Sequence, residues 1–545
     1  MYDFSISNNV FLCNFAPMNN YINIKAMMIG ILMPFSISIH AQPIMGWSSW
    51  NTYRVNINEA LIRSQADAIV RLGLRDVGYQ YINIDDGYFG FRDSTGLMHT
   101  HPQRFPDGLK GTADYIHSLG LKAGCYSDAG YVTCGSIYDH DKNGVGAGLY
   151  GHEEIDADLY FNQWGFDFIK IDYCGAGTEL NLDEHQRYAE IIRTIQETAH
   201  HPVKINVCRW AYPGTWVSQL ASSWRISPDI SPRWKSVVRN IEKNLYLSAY
   251  ADRLHHNDMD MLEIGRGLTR NEEEVHFGMW CMMNSPLLIG CDLNKIPAAS
   301  LALLKNKELI AINQDTLGIQ ASVVQHHGNG YVLVKDILQR HGHTRAVALY
   351  NPSDSVCHFQ IPLQELEFKG KVRLRDLVLN KNIGYIKDSL VKELAPHSAL
   401  FLRMEGTRRL EARRYEAEQA YLPRYNDLGK EKKAVMYQEM KDASGGMVVA
   451  NLGGSAHNEA IWKEVYSQKG GLYRMTVYYA VSSVVNQLYI NVNGIKTQMH
   501  VSQNTTGITP LSIDIPLHPG SNTVTMGSDY AWAPYIDCFE IVPVR

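Results

Sequence analysis

Cysteine is scarce: nine residues in 545, odd in number and scattered, which excludes a cystine-dense scaffold and allows a few bridges at most. No long run of Lys or Arg occurs, and a formal net charge of −5 lacks the basic footprint that binding to a nucleic-acid backbone requires. Long apolar stretches are missing too. The most apolar segment, AMMIGILMPFSISI at 26–39, is too short to cross a bilayer comfortably, and no later stretch reaches the ~20 residues of a spanning helix. No nucleic acid and no stable membrane span are therefore expected. Instead, Lys25 ahead of that segment and Ala41 just after it give the charged start, short apolar run and small residue of a secretory signal. Residues 1–41 thus read as an N-terminal extension and signal peptide cut near Ala41, with export to a periplasm or the medium.

What is present suits a neutral polar partner. The 31 Tyr and 10 Trp can stack on sugar rings, although most aromatic residues serve a core. At this length two or three domains are expected.

One stretch orders the rest. In FDFIKIDYCG (166–175) a short apolar β-type run ends in Asp172, and the segment before it, EEIDADLYFNQW (153–164), has apolar residues at helical spacing. The same strand and helix alternation recurs: YQYINIDD ends in Asp85 and Asp86, LKAGCYSDAG carries Asp128, VKINVCRW follows, and SSWRISPDI ends near Asp229. Eight βα units over residues 42–313 imply a parallel (β/α)₈ TIM barrel, which gathers every strand's C-terminal end on one rim. The acids would converge there. Lys170, two positions from Asp172 on the same strand face, would hold it ionised.

Beyond the barrel, the helical period stops. Residues 314–404 alternate as an antiparallel β domain, residues 405–414 (EGTRRLEARR) read as a solvated charged linker, and residues 415–545 alternate again as a β-sandwich.

The motifs GWSSWN, NIDD, RDSTG, RFPDGLK, YSDAG, GLYGHEEIDA, FIKIDYC, SSWRISPDI, NDMDMLEIG and SPLLIGCDL, in this order over residues 44–293, resemble glycoside hydrolase family 27. That family comprises retaining α-galactosidases and α-N-acetylgalactosaminidases. The resemblance implies Asp172 as nucleophile and Asp229 as acid/base. It also implies Asp85 and Asp86 as the grip on the 4-OH and 6-OH of galactose, with Trp50, Tyr126, Lys170, Arg225, Asp260 and Met261 contributing to substrate binding. A Cys134–Cys174 disulfide beside the nucleophile follows from the same likeness, as does catalysis without a cofactor.

Three departures stand out. Gly87 replaces a half-cystine of the family. Cys208 loses its partner to Ala221, so it should be a free buried thiol. Arg209 stands where α-galactosidases carry Glu to bind the 2-OH, and it is assigned to the 2-position of the substrate with the opposite hydrogen-bonding sense, since a guanidinium only donates.

The last region, through YEAEQA, GGMVVANLG, HPGSNTVTM and APYIDCFEI, resembles carbohydrate-binding modules of the family 6 and 35 type. This implies a structural Ca²⁺ held by Glu416, Glu418 and Asp537, with Trp462 and Trp532 as sugar platforms. The expected activity is exo-hydrolysis of terminal α-galactosyl residues. The alternatives are α-N-acetylgalactosaminidase or another retaining α-glycosidase of the same barrel and, in another class, a sugar-binding protein without catalysis. Retention of both Asp172 and Asp229 speaks against the last.

Overall fold

The computed structural model describes residues 42–544 apart from 177–179, 181, 429–432, 456, 482–486 and 503–506. The expected signal peptide lies outside the described residues. Among them, no helix is long and apolar enough to cross a membrane.

Eight short strands pair in parallel: β1 (Met45–Ser48), β2 (Tyr81–Asn83), β3 (Lys122–Asp128), β4 (Phe168–Asp172), β5 (Lys204–Val207), β6 (Ser223–Arg225), β7 (His256–Asp258) and β8 (Leu287–Ile289). From β1 to β7 each pairs with the next, β8 returns to β1, and a parallel bridge between Leu262 and Ile289 closes the ring. This is the expected TIM barrel. Strand period two explains its polarity. In β4, Ile169 and Ile171 are fully buried in the apolar core, while Phe168 and Lys170 line a central cavity.

The principal helices are α1 (Glu59–Arg71), α2 (Gly108–Ser118), α3 (Glu153–Ala157), α4 (Glu184–Thr198), α5 (Trp234–Asn244), α6 (Arg270–Met282), α7 (Ala298–Leu304) and α8 (Lys307–Asn313). Local chemistry sets their ends. The Asn58 side chain accepts from Leu61 N at 2.9 Å to start α1, and Thr269 with Glu272 forms a capping box on α6. Ile62, Ala66 and Ile69 of α1 are fully buried, as the spacing predicts.

Two connections differ from the sequence reading. The helix expected over 153–164 is α-helical only to Ala157 and continues as a π-turn, Asp158–Gln163, in which Trp164 N reaches Leu159 O. The wider turn lets Tyr160 and Trp164 stack at 5.2 Å. After β5 there is only a 3₁₀ segment, Thr215–Gln219, where a full helical unit was expected. Pro213 and Gly214, the latter at φ 128°, precede it, and residues from the far end of the chain pack here. Thr215 donates to Pro423 O at 2.8 Å, and Asp427 N donates to Tyr212 O at 2.9 Å.

Past α8 lies a six-stranded antiparallel sheet with a two-stranded companion. Its strand Ser398–Arg409 runs into the segment read as a solvated linker. The charges there are paired: Arg409 binds Asp336 at 2.9 Å and also Glu367, and Glu405 binds Arg403 at 2.7 Å. Only Leu410 to Arg413 separate this strand from the next, Arg414–Glu416. Residues from Arg414 onward form a sandwich of two antiparallel sheets. The apolar core is continuous from barrel to sandwich.

Candidate active site

Each rim residue is placed by the end of a strand. Asp172 closes β4 and is 4 % exposed. Lys170 Nζ lies 3.6 Å from its Oδ2 and 3.2 Å from Asp85 Oδ2, so one cation bridges two carboxylates. Asp172 Oδ1 is buried and has no hydrogen-bond partner among the described residues. Burial raises the Asp172 carboxyl to about 6, Lys170 opposing the rise. For Lys170 burial acts downward, but Asp172 and Asp85 hold its ammonium well above the usual range.

A second cation organises the opposite side. One nitrogen of the buried Arg225, at the end of β6, lies 3.0 Å from Asp229 Oδ1 and 2.9 Å from Asp260 Oδ2. Asp260 also accepts from Ile230 N at 2.8 Å, and its backbone is held at φ 79°, a left-handed conformation that a non-glycine residue adopts only when its surroundings fix it. Burial pushes Asp260 up to about 7. At Asp229 the surrounding protein also acts upward, but Arg225 and then Lys170 outweigh it, and the carboxyl sits below its usual range.

The central cavity is lined by Trp50, Asp85, Lys170, Arg225, Asp229, Asp260 and Met261, all expected at the site, and also by Ser48, Asn83, Asn206 and Asp258. The last four were missed. Asn206 bridges Ser223 Oγ at 2.9 Å and Asp258 Oδ2 at 2.8 Å. Their signal was polar residues set inside otherwise apolar strands.

Three expected residues are placed elsewhere. Asp86 turns to the backbone of Gly135, accepting at 2.6 Å. Tyr126 is wholly buried, its ring 5.3 Å from Lys170 Nζ and its hydroxyl accepting from Cys134 N. Arg209 pairs with Glu184 in the first turn of α4, and its guanidinium lies 4.6 Å over the Tyr173 ring. None of Asp86, Tyr126 and Arg209 lines the cavity, and neither does Asp172, which is tied to the lining through Lys170.

The loops beside Asp172 are tightly fixed. Cys134 and Cys174 form the expected disulfide, with Cα atoms 5.2 Å apart. Asp128, one of the acids expected on the rim, instead accepts from Gly130, Cys174 and Gly175 N at 2.6–3.0 Å. A Cβ on Gly130 would come within 1.9 Å of Gly175 C, so only glycine permits this crossing. Gly87, at φ 118°, likewise leaves no room for a side chain against Val55. Cys208 is free and buried, as expected.

In the sandwich, Glu416, Asp537 and Cys538 bring ligand atoms within 4.8 Å of one another. Both Glu418 oxygens are buried without a hydrogen-bond partner among the described residues. Burial raises Glu416 to about 7 and Glu418 well above its usual range. Unpartnered hard oxygens of this kind fit a divalent cation such as Ca²⁺. Trp462 is not a sugar platform: it is 3 % exposed, donates to Glu416 O at 2.9 Å and meets Phe539 edge-on.

A parallel barrel that gathers carboxyl groups at the C-terminal ends of its strands is an arrangement that glycoside hydrolases use. Residues 42–315 match the family model described as alpha galactosidase A. The chain is 37 % identical to a probable alpha-galactosidase of Dictyostelium discoideum over 67 % of its own length and 93 % of that protein's. It is 35 % identical to alpha-galactosidase A of Cellvibrio japonicus, over 66 % of this chain and 91 % of that one. Among solved structures it resembles alpha-galactosidase I of Mortierella vinacea, with 30 % identity, a TM-score of 0.63, and 69 % of this chain and 99 % of that one covered. The chain belongs to the alpha galactosidase A family.

Proposed function

We propose that this protein is a retaining exo-α-galactosidase, and the observation that carries this is the Lys170 bridge between Asp85 and Asp172. A cation there keeps a deeply buried carboxylate ionised, as a nucleophile must be, and ties it to the residue assigned to the sugar's hydroxyls. Asp172 Oδ1 attacks the anomeric carbon while the carboxyl of Asp229 protonates the departing oxygen. Asp229 then takes a proton from water, which displaces Asp172. Two inversions return the α configuration. Arg225 favours the ionised form of both Asp229 and Asp260, whereas burial favours a proton on Asp260, so the proton for the first step is stored on Asp260 beside Asp229. The named activity of the relatives supports galactose as the sugar.

Glu416, Glu418 and Asp537 would hold Ca²⁺ in the sandwich, where the ion would neutralise three crowded acids and take no part in the chemistry. Export accords with the signal-like segment before Ala41 and with a disulfide beside the nucleophile. Asp172→Asn is expected to abolish turnover of nitrophenyl α-galactoside while leaving the circular dichroism spectrum unchanged. In the wild type, NMR at early times should show α-galactose as first product; β-galactose first would overturn the assignment. The same assay with nitrophenyl α-N-acetylgalactosaminide separates the two family activities.

A further inference from the structure

A second cleft, of about 280 Å³, lies between α5 and the sandwich. The barrel supplies Arg239, Glu242, Lys243 and Tyr246, and the sandwich region supplies Tyr425, Asp427, Tyr437, Glu439 and Met447. Its size is close to the lower end of small-molecule sites, about 300 Å³. It is linked to the candidate site through one side chain. The guanidinium of Arg239 donates to Asp229 O at 2.7 Å and to Pro228 O at 3.4 Å, so one wall of the cleft is bonded to the backbone of the residue assigned as acid/base.

We infer that this cleft binds the neutral oligosaccharide chain that carries the scissile galactose, at a position remote from the bond broken. The lining suits such a chain. Tyr246, half-buried and in no ring pair among the described residues, offers a stacking face, and the carboxylates of Glu242 and Glu439 have no hydrogen-bond or ion-pair partner among the described residues, leaving acceptors for hydroxyls. Lys243 stands 3.9 Å from Asp427. Arg239 and Lys243 share the wall with the carboxylates of Glu242, Asp427 and Glu439, a mixture that suits an uncharged polyhydroxyl ligand better than an ionic one. Half of the wall lies in the sandwich, whereas the relatives described above align with only about two thirds of this chain; the site belongs to this architecture rather than to the barrel alone. Its substrate rests on the α-galactosidase reading above.

The test is Glu242→Gln/Glu439→Gln, both on exposed positions. With nitrophenyl α-galactoside, which has no chain to place in the cleft, kcat/KM should stay within about twofold of wild type. With a galactosylated manno-oligosaccharide it should fall about 10-fold, chiefly through KM. Equal effects on the two substrates, or none on either, would overturn the proposal. Calorimetric titration of Asp172→Asn with a galactose-free manno-oligosaccharide supplies an arm independent of turnover. Binding that the double substitution abolishes supports the cleft even if no α-galactoside is cleaved, an outcome that would sink only the proposed function; binding that persists unchanged rejects the cleft.

Discussion

At the scale of single residues, the site is governed by two cations each shared between two acids, and this sets its pH response. On the proposed mechanism Asp172 must be ionised to attack, so kcat/KM should rise as pH climbs through about 6. One proton must remain on the Asp229–Asp260 pair, and Asp260 releases its own near 7, so activity should decline above that. The two limbs belong to coupled groups rather than to single residues. Asp260→Asn should displace the alkaline limb and leave the acid limb in place; a profile unchanged in both limbs would remove Asp260 from proton storage. Arg209 answers to a different constraint. Held by Glu184 and stacked over Tyr173, it is a support for the rim, and Arg209→Ala should lower kcat/KM by equal factors on an α-galactoside and its 2-deoxy analogue. Losing the Arg209–Glu184 ion pair should also cost about 2 kcal/mol in denaturant unfolding. A loss confined to the 2-hydroxylated substrate would restore Arg209 to the sugar.

Among elements, the sandwich's acidic corner makes the sharpest prediction. Glu416 titrates near 4.5 when unfolded and near 7 when folded. Between those values the folded state binds the extra proton, so stability falls as pH rises through the window. Glu418 adds to the same slope. Without Ca²⁺ the melting temperature should therefore drop from the acid to the neutral end of this window, and Ca²⁺ should reverse the drop; Glu418→Ala should blunt both effects. Identical melting with and without Ca²⁺ across the window would discard the metal. Elements also show what a sequence can and cannot reveal. Barrel strands were legible because buried parallel strands are short apolar runs that end abruptly in Asp or Asn, and Asp85, Asp172 and Asp229 mark such ends. The missing helix after β5 was not legible, because what packs there, Pro423 to Asp427, lies some 200 residues onward. The pairing of Arg209 was hidden for a similar reason: its acid, Glu184, belongs to another unit, and nothing in VCRWAY points to it. Asp86 and Asp128 looked like rim acids, but backbone amides of neighbouring loops claim them.

Over the whole molecule, barrel and sandwich are joined by side chains rather than by a tether. Tyr212 and Tyr250 of the barrel pack on Tyr425 at 5.6 and 5.7 Å, and Tyr250 hydrogen-bonds Tyr437 at 2.9 Å. The short connector is pinned on both sides. Leu410 N donates to Glu367 O, Ile541 N donates to Arg413 O, and Glu411 accepts from Gln468 N at 2.6 Å. His341 of the middle sheet stacks on Tyr466 of the sandwich at 3.8 Å. Calorimetry should therefore show barrel and sandwich unfolding in one transition, and Tyr250→Ala should split it or lower it as a whole; two separate transitions in the wild type would contradict the shared core. The four-residue connector also decides how the sandwich can serve the enzyme. A module on a flexible leash raises the effective concentration of any substrate it captures, whatever the spacing of its features. A module locked in place cannot sweep: if it holds sugar, it serves as a fixed gauge, rewarding only those branched chains whose galactose and backbone are set at the one separation the two units present.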